Sequence, residues 1–400
     1  MKQAAASVLL LAAVCRAQLE VVSQWPFLQF DVPADFPKGS YVPENNVFTG
    51  LEVGWGRVFL SLPRLRTGVA ATVATISRSD LRGQLGSAPT LQAYPSWTWH
   101  RAEANCSGLI SVYRVRADRC DRLWVLDSGV MTSLEDYRPV CPPKLLAFDM
   151  RTDRLLRSYE FPRSTLRPHS LLTNLVIDPQ SGGSCDNAFI YISDTASPGI
   201  LVYDMQRDQT WRVSHTTMWP SPDHATYTVG GESFTLPDGI IGMGLSPAPL
   251  AHPTQQVLYF QPLASDRIFS VPVSALRTRP DPSAVENSLP VSLVGYKSSQ
   301  SAALAVDPSD GSVVLSPLAD YAVTSWDPVT NANHVLALDP AQLQFCSDVR
   351  FAERDSGHVW LISSRLQKLF RRTYRAGEVN FRVMRIRVGA VPYNNSLLLV

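Results

Sequence analysis

Five side chains in this 400-residue chain are of types that move protons: Arg64, His169, Asp127, Asp194 and Asp238. An arginine holds a carboxylate, a histidine is a base near neutral pH, and aspartates accept from an amine or hydroxyl. Such a set suits removal of a carbon-bound proton with stabilisation of the oxyanion that develops. Asp127 and Asp194 end the similar segments RLWVLD and FIYISD, a position that equally suits capping of turns, and His169 equally suits an exposed loop. A second set is aromatic and polar. Trp97, Trp99, Tyr137, Trp219 and Tyr296, with Gln300, Ser347 and Ser364, would enclose an aromatic amine through stacking and cation–π contacts; the rings would equally fill wedge-shaped gaps in the fold. No zinc site is expected, because the His and Cys residues form neither HExxH nor CxxC. Oxygen ligands for calcium would have to come from Asp194, Asp238 and Asp348, which also suit tight turns. GxSxG, P-loop and GxGxxG patterns are missing too, and no cofactor is implied.

Positioning these residues falls to a repeated unit. RLWVLD (122–127), KLLAFDM (144–150) and RLLRSYEF (154–161) are echoed by FIYISD (189–194), GILVYDM (199–205) and QTWRVSH (209–215). Weaker copies are VLYFQPL (257–263) with RIFSVPV (267–273), VVLSPL (313–318) with AVTSWDP (322–328), and VWLISS (359–364) with KLFRRTY (368–374). RVFLSLPR (57–64) with ATVATISR (71–78) precedes them, making six copies. Short β-branched and aromatic runs between Asp, Gly, Pro and Ser turns read as four-stranded antiparallel units. The sequence therefore predicts an all-β fold, a six-bladed β-propeller with units near 46–96, 105–161, 170–215, 238–296, 300–339 and 345–388. Segment 27–32 is expected to pair with 381–388 and close the ring. Arg64, Asp127, His169, Asp194, Asp238, Gln300, Ser347 and Ser364 should then meet around the axial opening on the face where inner strands begin.

Composition sets the boundaries. Hydrophobic residues at 45% against 18% charged exclude whole-chain disorder, and 36 Lys+Arg against 35 Asp+Glu, without blocks of one sign, argue against a nucleic-acid partner. Residues 1–17 read as a secretory signal peptide, leaving 18–400 as one domain, secreted and without a membrane span. Removing Cys15 leaves five cysteines, hence two disulfides and one thiol. The strand order puts Cys106 and Cys141 on one face and Cys120 and Cys185 in equivalent turns of adjacent blades, with Cys346 unpaired. Asn105 and Asn394 stand in glycosylation sequons.

The run from Cys106 to Val130, CPPKLLAFD (141–149), AFIYISD (188–194), LVYDMQRDQTWRVSH (201–215), FTLPDGIIGMGLSP (234–247), QFCSDVRF (344–351) and NFRVMRIRV (380–388) resemble the insect Yellow and major royal jelly protein family. The resemblance spans about residues 46 to 390. Ser364 stands where the family's tail motif often has Asn, and Cys346 where a small or branched residue is usual. The resemblance implies a six-bladed propeller and a role in the melanin and catecholamine pathway, with a small catechol ligand as partner. Its functional expectation is dopachrome conversion, by tautomerisation or decarboxylation, with noncatalytic amine binding and a structural or nutritive role as alternatives. In the first case Arg64 would hold the substrate carboxylate and His169 would act as base.

The strand order has a direct check. Residues 106 and 120 flank a strand that separates them by about 20 Å, at roughly 3.3 Å per residue, beyond disulfide reach. Peptide mapping under non-reducing conditions should recover Cys106–Cys141 and Cys120–Cys185; a Cys106–Cys120 peptide would refute the strand order.

Overall fold

Six four-stranded antiparallel sheets form the structure, a computed structural model that describes residues 19–388 apart from 38, 83–87, 101–104, 181–183, 249–254 and 282–287. The leader and Asn394 lie outside the described residues. The inner strands are Gly50–Val53, Val112–Ala117, Leu172–Pro179, Ile240–Leu245, Leu304–Val306 and Phe345–Phe351. Each packs against the next and the last against the first, which makes the array a closed six-bladed β-propeller. We call the end where inner strands start the upper face.

Buried apolar residues run continuously along the middle strands, as in Leu123–Leu126 and Ile200–Tyr203, because both faces of a blade are covered by its neighbours. Trp124, Leu145, Leu175, Ile190 and Tyr203 share one cluster between the second and third blades, and Val314, Val323, Val349 and Leu361 share another between the fifth and sixth. Each fully buried side chain of this size contributes on the order of 1.5–3 kcal/mol. Three of the six second strands carry an aromatic residue clasped to an aspartate of the preceding segment: Trp124 donates to Asp118 at 2.9 Å, Tyr191 to Asp178 at 2.5 Å and Trp360 to Asp355 at 2.6 Å. A repeated aromatic–carboxylate clasp thus satisfies the ring's polar atom while the ring fills the gap between blades.

The sixth blade departs from expectation twice. KLFRRTY is not its third strand: Leu366–Arg371 is a helix, because Leu366, Leu369 and Phe370 recur at helical rather than alternating spacing, and Phe381–Arg387 supplies the strand. The closing strand is Leu19–Trp25, not 27–32, and it pairs along Phe381–Arg387 from Leu19 opposite Ile386 to Trp25 opposite Phe381. Trp25 is buried within the cluster shared with the first blade, whereas Phe30 makes only a single parallel bridge to Leu91. Burial of Val22 and Trp25 chooses the register.

Cys106 joins Cys141, and Cys120 joins Cys185 across the second and third blades, with Cα separations of 5.4 and 6.3 Å. Cys346 is free and buried, and burial pushes its thiol up to about 11.

Inner strands of the second, third, fourth and sixth blades each slip register once, at Tyr113, Thr173, Ile241 and Ser347. A bulge re-aims the side chains around it. Just below lies a charged tie: Asp348 takes Arg114 at 2.8 Å, Arg116 at 2.9 Å and the Leu51 N–H at 3.0 Å. Burial alone would raise the Asp348 carboxyl, but the two guanidiniums overcome it and hold the group at about 2. Its depressed pKa means that this stabilisation is present above the ordinary carboxylate range and is lost as pH falls through about 2. Asp348→Ala leaves two buried guanidiniums without their shared anion, so denaturant unfolding should show a loss of about 3–5 kcal/mol.

Candidate functional site

Above the tie, the upper end of the axis is apolar. Tyr113, Leu171, Tyr227, Phe234 and Phe345 belong there to one buried cluster with Ile241 packed against it. Strands Thr226–Val229 and Glu232–Thr235 form a hairpin that roofs it. The turn is Gly230-Gly231, with φ of +59° and +76°, the backbone that a two-residue hairpin turn requires and that glycine adopts without strain. The roof is pinned from several sides. Gly230 N–H donates to the Tyr321 hydroxyl at 3.0 Å, Lys368 meets Glu232 at 3.2 Å, and Phe234 stacks on Phe370 with centroids 4.4 Å apart. Gln300 donates to the His224 and Thr226 carbonyls, both at 2.9 Å.

Asp238 sits immediately before the fourth inner strand. The residue is part exposed, and its carboxyl, pushed up to about 7 by burial, has no hydrogen-bond donor or cation among the described residues. Its charge adds to burial in raising the phenols of Tyr113 and Tyr227, which stay protonated at neutral pH. Tyr113 shares a hydrogen bond of 2.7 Å with Ser133. Tyr227 is buried and its hydroxyl has no partner among the described residues. A carboxyl that ionises near neutrality beside two phenolic donors, one unsatisfied, can accept a proton and stabilise an oxyanion on the same molecule.

Of the residues expected at this opening, Asp238 has the chemistry of a base and several others are committed elsewhere. Asp127 accepts from the Ile110 and Ser111 N–H groups, each at 2.8 Å, and Asp194 from the Leu171 N–H at 2.9 Å and from Arg212 at 2.9 Å. These equivalent aspartates fasten second strands to the starts of inner strands. Arg64 is buried and donates to the Leu109, Ile110 and His100 carbonyls, so it is not a free cation for a substrate. His169 is exposed beside Tyr137, with ring centroids 5.7 Å apart. Ser347 donates to the Phe48 carbonyl at 3.3 Å, while Ser364 is buried opposite Phe345 with its hydroxyl unpartnered among the described residues.

Of the aromatic set, Tyr137 packs against the buried cluster that holds Tyr113 and donates to the Ser170 carbonyl at 2.8 Å, whereas Trp97, Trp99 and Tyr296 are placed elsewhere. Trp97 donates to the Asp31 carbonyl and packs near Phe36, Trp99 packs on Phe148, and Tyr296 ends the outermost strand of the fourth blade, 60% exposed. Asn105 is exposed, and its side chain accepts from Ser107. Among the described residues no three His, Cys, Asp or Glu side chains are placed to hold a metal. Sequence reasoning missed Tyr113, because its exposure to the axis depends on a bulge. It also missed Tyr227, although TYTVGGESFT carries a hairpin signal: alternating residues around Gly-Gly.

Residues 110–397 match the profile of the family described as Major royal jelly protein. The chain belongs to that family. Dopaminechrome tautomerase of Drosophila melanogaster is 32% identical over 95% of this chain and 84% of its own length. Protein yellow of Drosophila yakuba is 31% identical over 86% of this chain, which spans 63% of that protein's length. A solved structure from Bacteroides thetaiotaomicron, described as a protein of unknown function, shares the fold alone: 10% identity, TM-score 0.50, covering 92% of this chain and 76% of the other.

The raised Asp238 pKa has a measurable thermodynamic signature. Folding stabilises its protonated form, so this contribution is fully present below the ordinary carboxylate pKa and is lost as pH rises through about 7. The melting temperature of wild type relative to Asp238→Asn should therefore fall between about pH 4 and pH 7. A difference that stays constant across this window would mean that the carboxyl titrates normally.

Proposed function

We propose that the protein is a secreted enzyme of the pigmentation pathway that isomerises an aminochrome, the cyclised quinone of a catecholamine, to a dihydroxyindole at the upper end of the axis. The observation that carries this reading is the pairing of Asp238, a carboxyl near neutral pKa, with the unsatisfied hydroxyl of Tyr227. The reaction needs both groups. Ionised Asp238 takes a proton from a saturated ring carbon, the freed electron pair moves through the ring to a quinone oxygen, and Tyr227 with Tyr113 donates hydrogen bonds to that oxygen as its charge grows. The oxygen then gains a proton. A second proton passes in the same way from the neighbouring saturated carbon to the other quinone oxygen, so two C–H bonds are lost and two O–H bonds gained, and no oxidant or cofactor is consumed.

The same geometry narrows the substrate. With Arg64 committed to backbone carbonyls and no charged neighbour offsetting Asp238, a substrate carboxylate would enter this end of the axis without a cation. Desolvating that carboxylate beside ionised Asp238 is unfavourable. An aminochrome without a carboxylate fits better than dopachrome, in keeping with the name of the Drosophila tautomerase. Secretion is supported by the leader-like N-terminus and the two disulfides. A second reading, noncatalytic binding of an aromatic amine, is favoured by the same carboxylate and by the stacked rings of Tyr227 and Phe234, 5.0 Å apart, which suit an ammonium on an aromatic body.

Turnover decides between them. Purified protein should accelerate the loss of dopaminechrome absorbance more than that of dopachrome, with activity rising through an apparent pKa near 7. Asp238→Asn should lower the rate by about 10²–10⁴-fold, and Tyr227→Phe by on the order of 10²-fold. Unchanged turnover in folded Asp238→Asn would sink the catalytic assignment, and stoichiometric amine binding without turnover would establish the carrier.

A further inference from the structure

Below the charged tie the axis holds a cavity, chemically unlike the upper end. Here the inner strands end around a cavity of about 470 Å³ whose lining includes Leu175, Leu245, Leu304, Val306 and Phe351, contributed by four different blades. That volume falls in the range of small-molecule sites. Two guanidiniums reach its lining from the inner strands, and their states differ. Arg116 is saturated: it gives 2.9 Å hydrogen bonds to both oxygens of Asp348 and to the Val115 carbonyl. Arg350 gives its Nε–H to Glu52 at 2.9 Å, while its terminal amino groups carry no hydrogen bond among the described residues. Its side chain is 29% exposed, whereas that of Glu52 is 2% exposed. Glu52 is also held by the Val53 and Ala117 N–H groups, each at 2.9 Å, so it anchors Arg350 without occupying the terminal amino groups. The same lining also carries Arg119 and Glu353, both exposed, and Glu353 acts on Arg350 at longer range than Glu52.

From this arrangement we infer that the lower cavity binds an organic monoanion with an apolar body, its acid group on the terminal amino groups of Arg350 and its hydrophobic part against Leu175, Leu245, Leu304, Val306 and Phe351. A fixed guanidinium with open donors recognises the planar or branched oxygens of a carboxylate or sulfonate. The aliphatic wall gains by covering an apolar body and gives a small inorganic anion nothing comparable.

The test uses two fluorescent probes with the same ring frame, 8-anilino-1-naphthalenesulfonate and the neutral N-phenyl-1-naphthylamine, titrated into the intact protein. Arg350→Gln should weaken the sulfonate probe by about tenfold or more, the scale of a charged hydrogen bond, and leave the neutral probe within about twofold. Leu245→Trp, which fills the cavity and keeps the Arg350–Glu52 pair, should remove both probes while circular dichroism and the melting temperature show a native fold. Asp238→Asn should change neither. Unchanged sulfonate affinity in folded Arg350→Gln overturns the inference, as does retention of both probes by Leu245→Trp or their loss in Asp238→Asn. Should Arg350→Gln fail to fold, Leu245→Trp decides alone. None of these readouts depends on turnover, so the outcome is separate from that of the tautomerase reading.

Discussion

Asp348 is the point on which the axis depends. Six wedge-shaped sheets meeting at a centre leave a hole that apolar side chains fill poorly, and this chain spans it with one carboxylate from the sixth blade, two arginines from the second and a backbone N–H from the first. A buried ion pair is worth having only when its remaining donors and acceptors are satisfied. That condition is met in large part, since Arg114 also reaches the Thr49 carbonyl at 2.7 Å and Arg116 the Val115 carbonyl, while the Arg114 Nε is left without a partner among the described residues. The tie binds the blades on both sides of the ring's seam. It also separates the apolar cluster at the upper end of the axis from the cavity at the lower end.

Two carboxylates of the inner blade ends show how environment sets chemistry. Asp348, surrounded by guanidiniums, is held at about 2 and stays ionised; Asp238, in apolar surroundings without a counter-charge, rises to about 7. One is structural because its charge is fully matched. The other is available for proton transfer because its charge is not. A roofing hairpin preserves the difference, for the apolar cover over Tyr227 and Asp238 comes from Phe234 and is clamped by Tyr321, Lys368 and Phe370 of the fifth and sixth blades.

Much of the architecture was legible in the sequence because it repeats. RLWVLD and FIYISD occupy equivalent second strands, and the pairing of Cys120 with Cys185 follows from equivalence of the turns before them. What repeats, however, is structural by that very fact: Asp127 and Asp194 proved to fasten inner strands, as their equivalent positions allowed. The candidate site lies where repetition fails. Tyr113 depends on a slip in strand register, Tyr227 on an insertion between the third and fourth blades, and neither leaves a periodic trace. Asp238 was found because it precedes an inner strand, yet its raised pKa comes from long-range packing that no local pattern encodes. Trp97, Trp99 and Tyr296 illustrate the reverse error, since large rings near blade turns mostly serve the periphery.

The seam of the propeller carries a consequence for how the molecule comes into being. Leu19–Trp25 is the first strand made and Phe381–Arg387 the last, and each is the other's neighbour. During synthesis Leu19–Trp25 must wait, unpaired and with Trp25 uncovered, until the chain has been made through Arg387. Loss of Phe381–Arg387 therefore strands Leu19–Trp25 as well, so damage to either strand is felt at both.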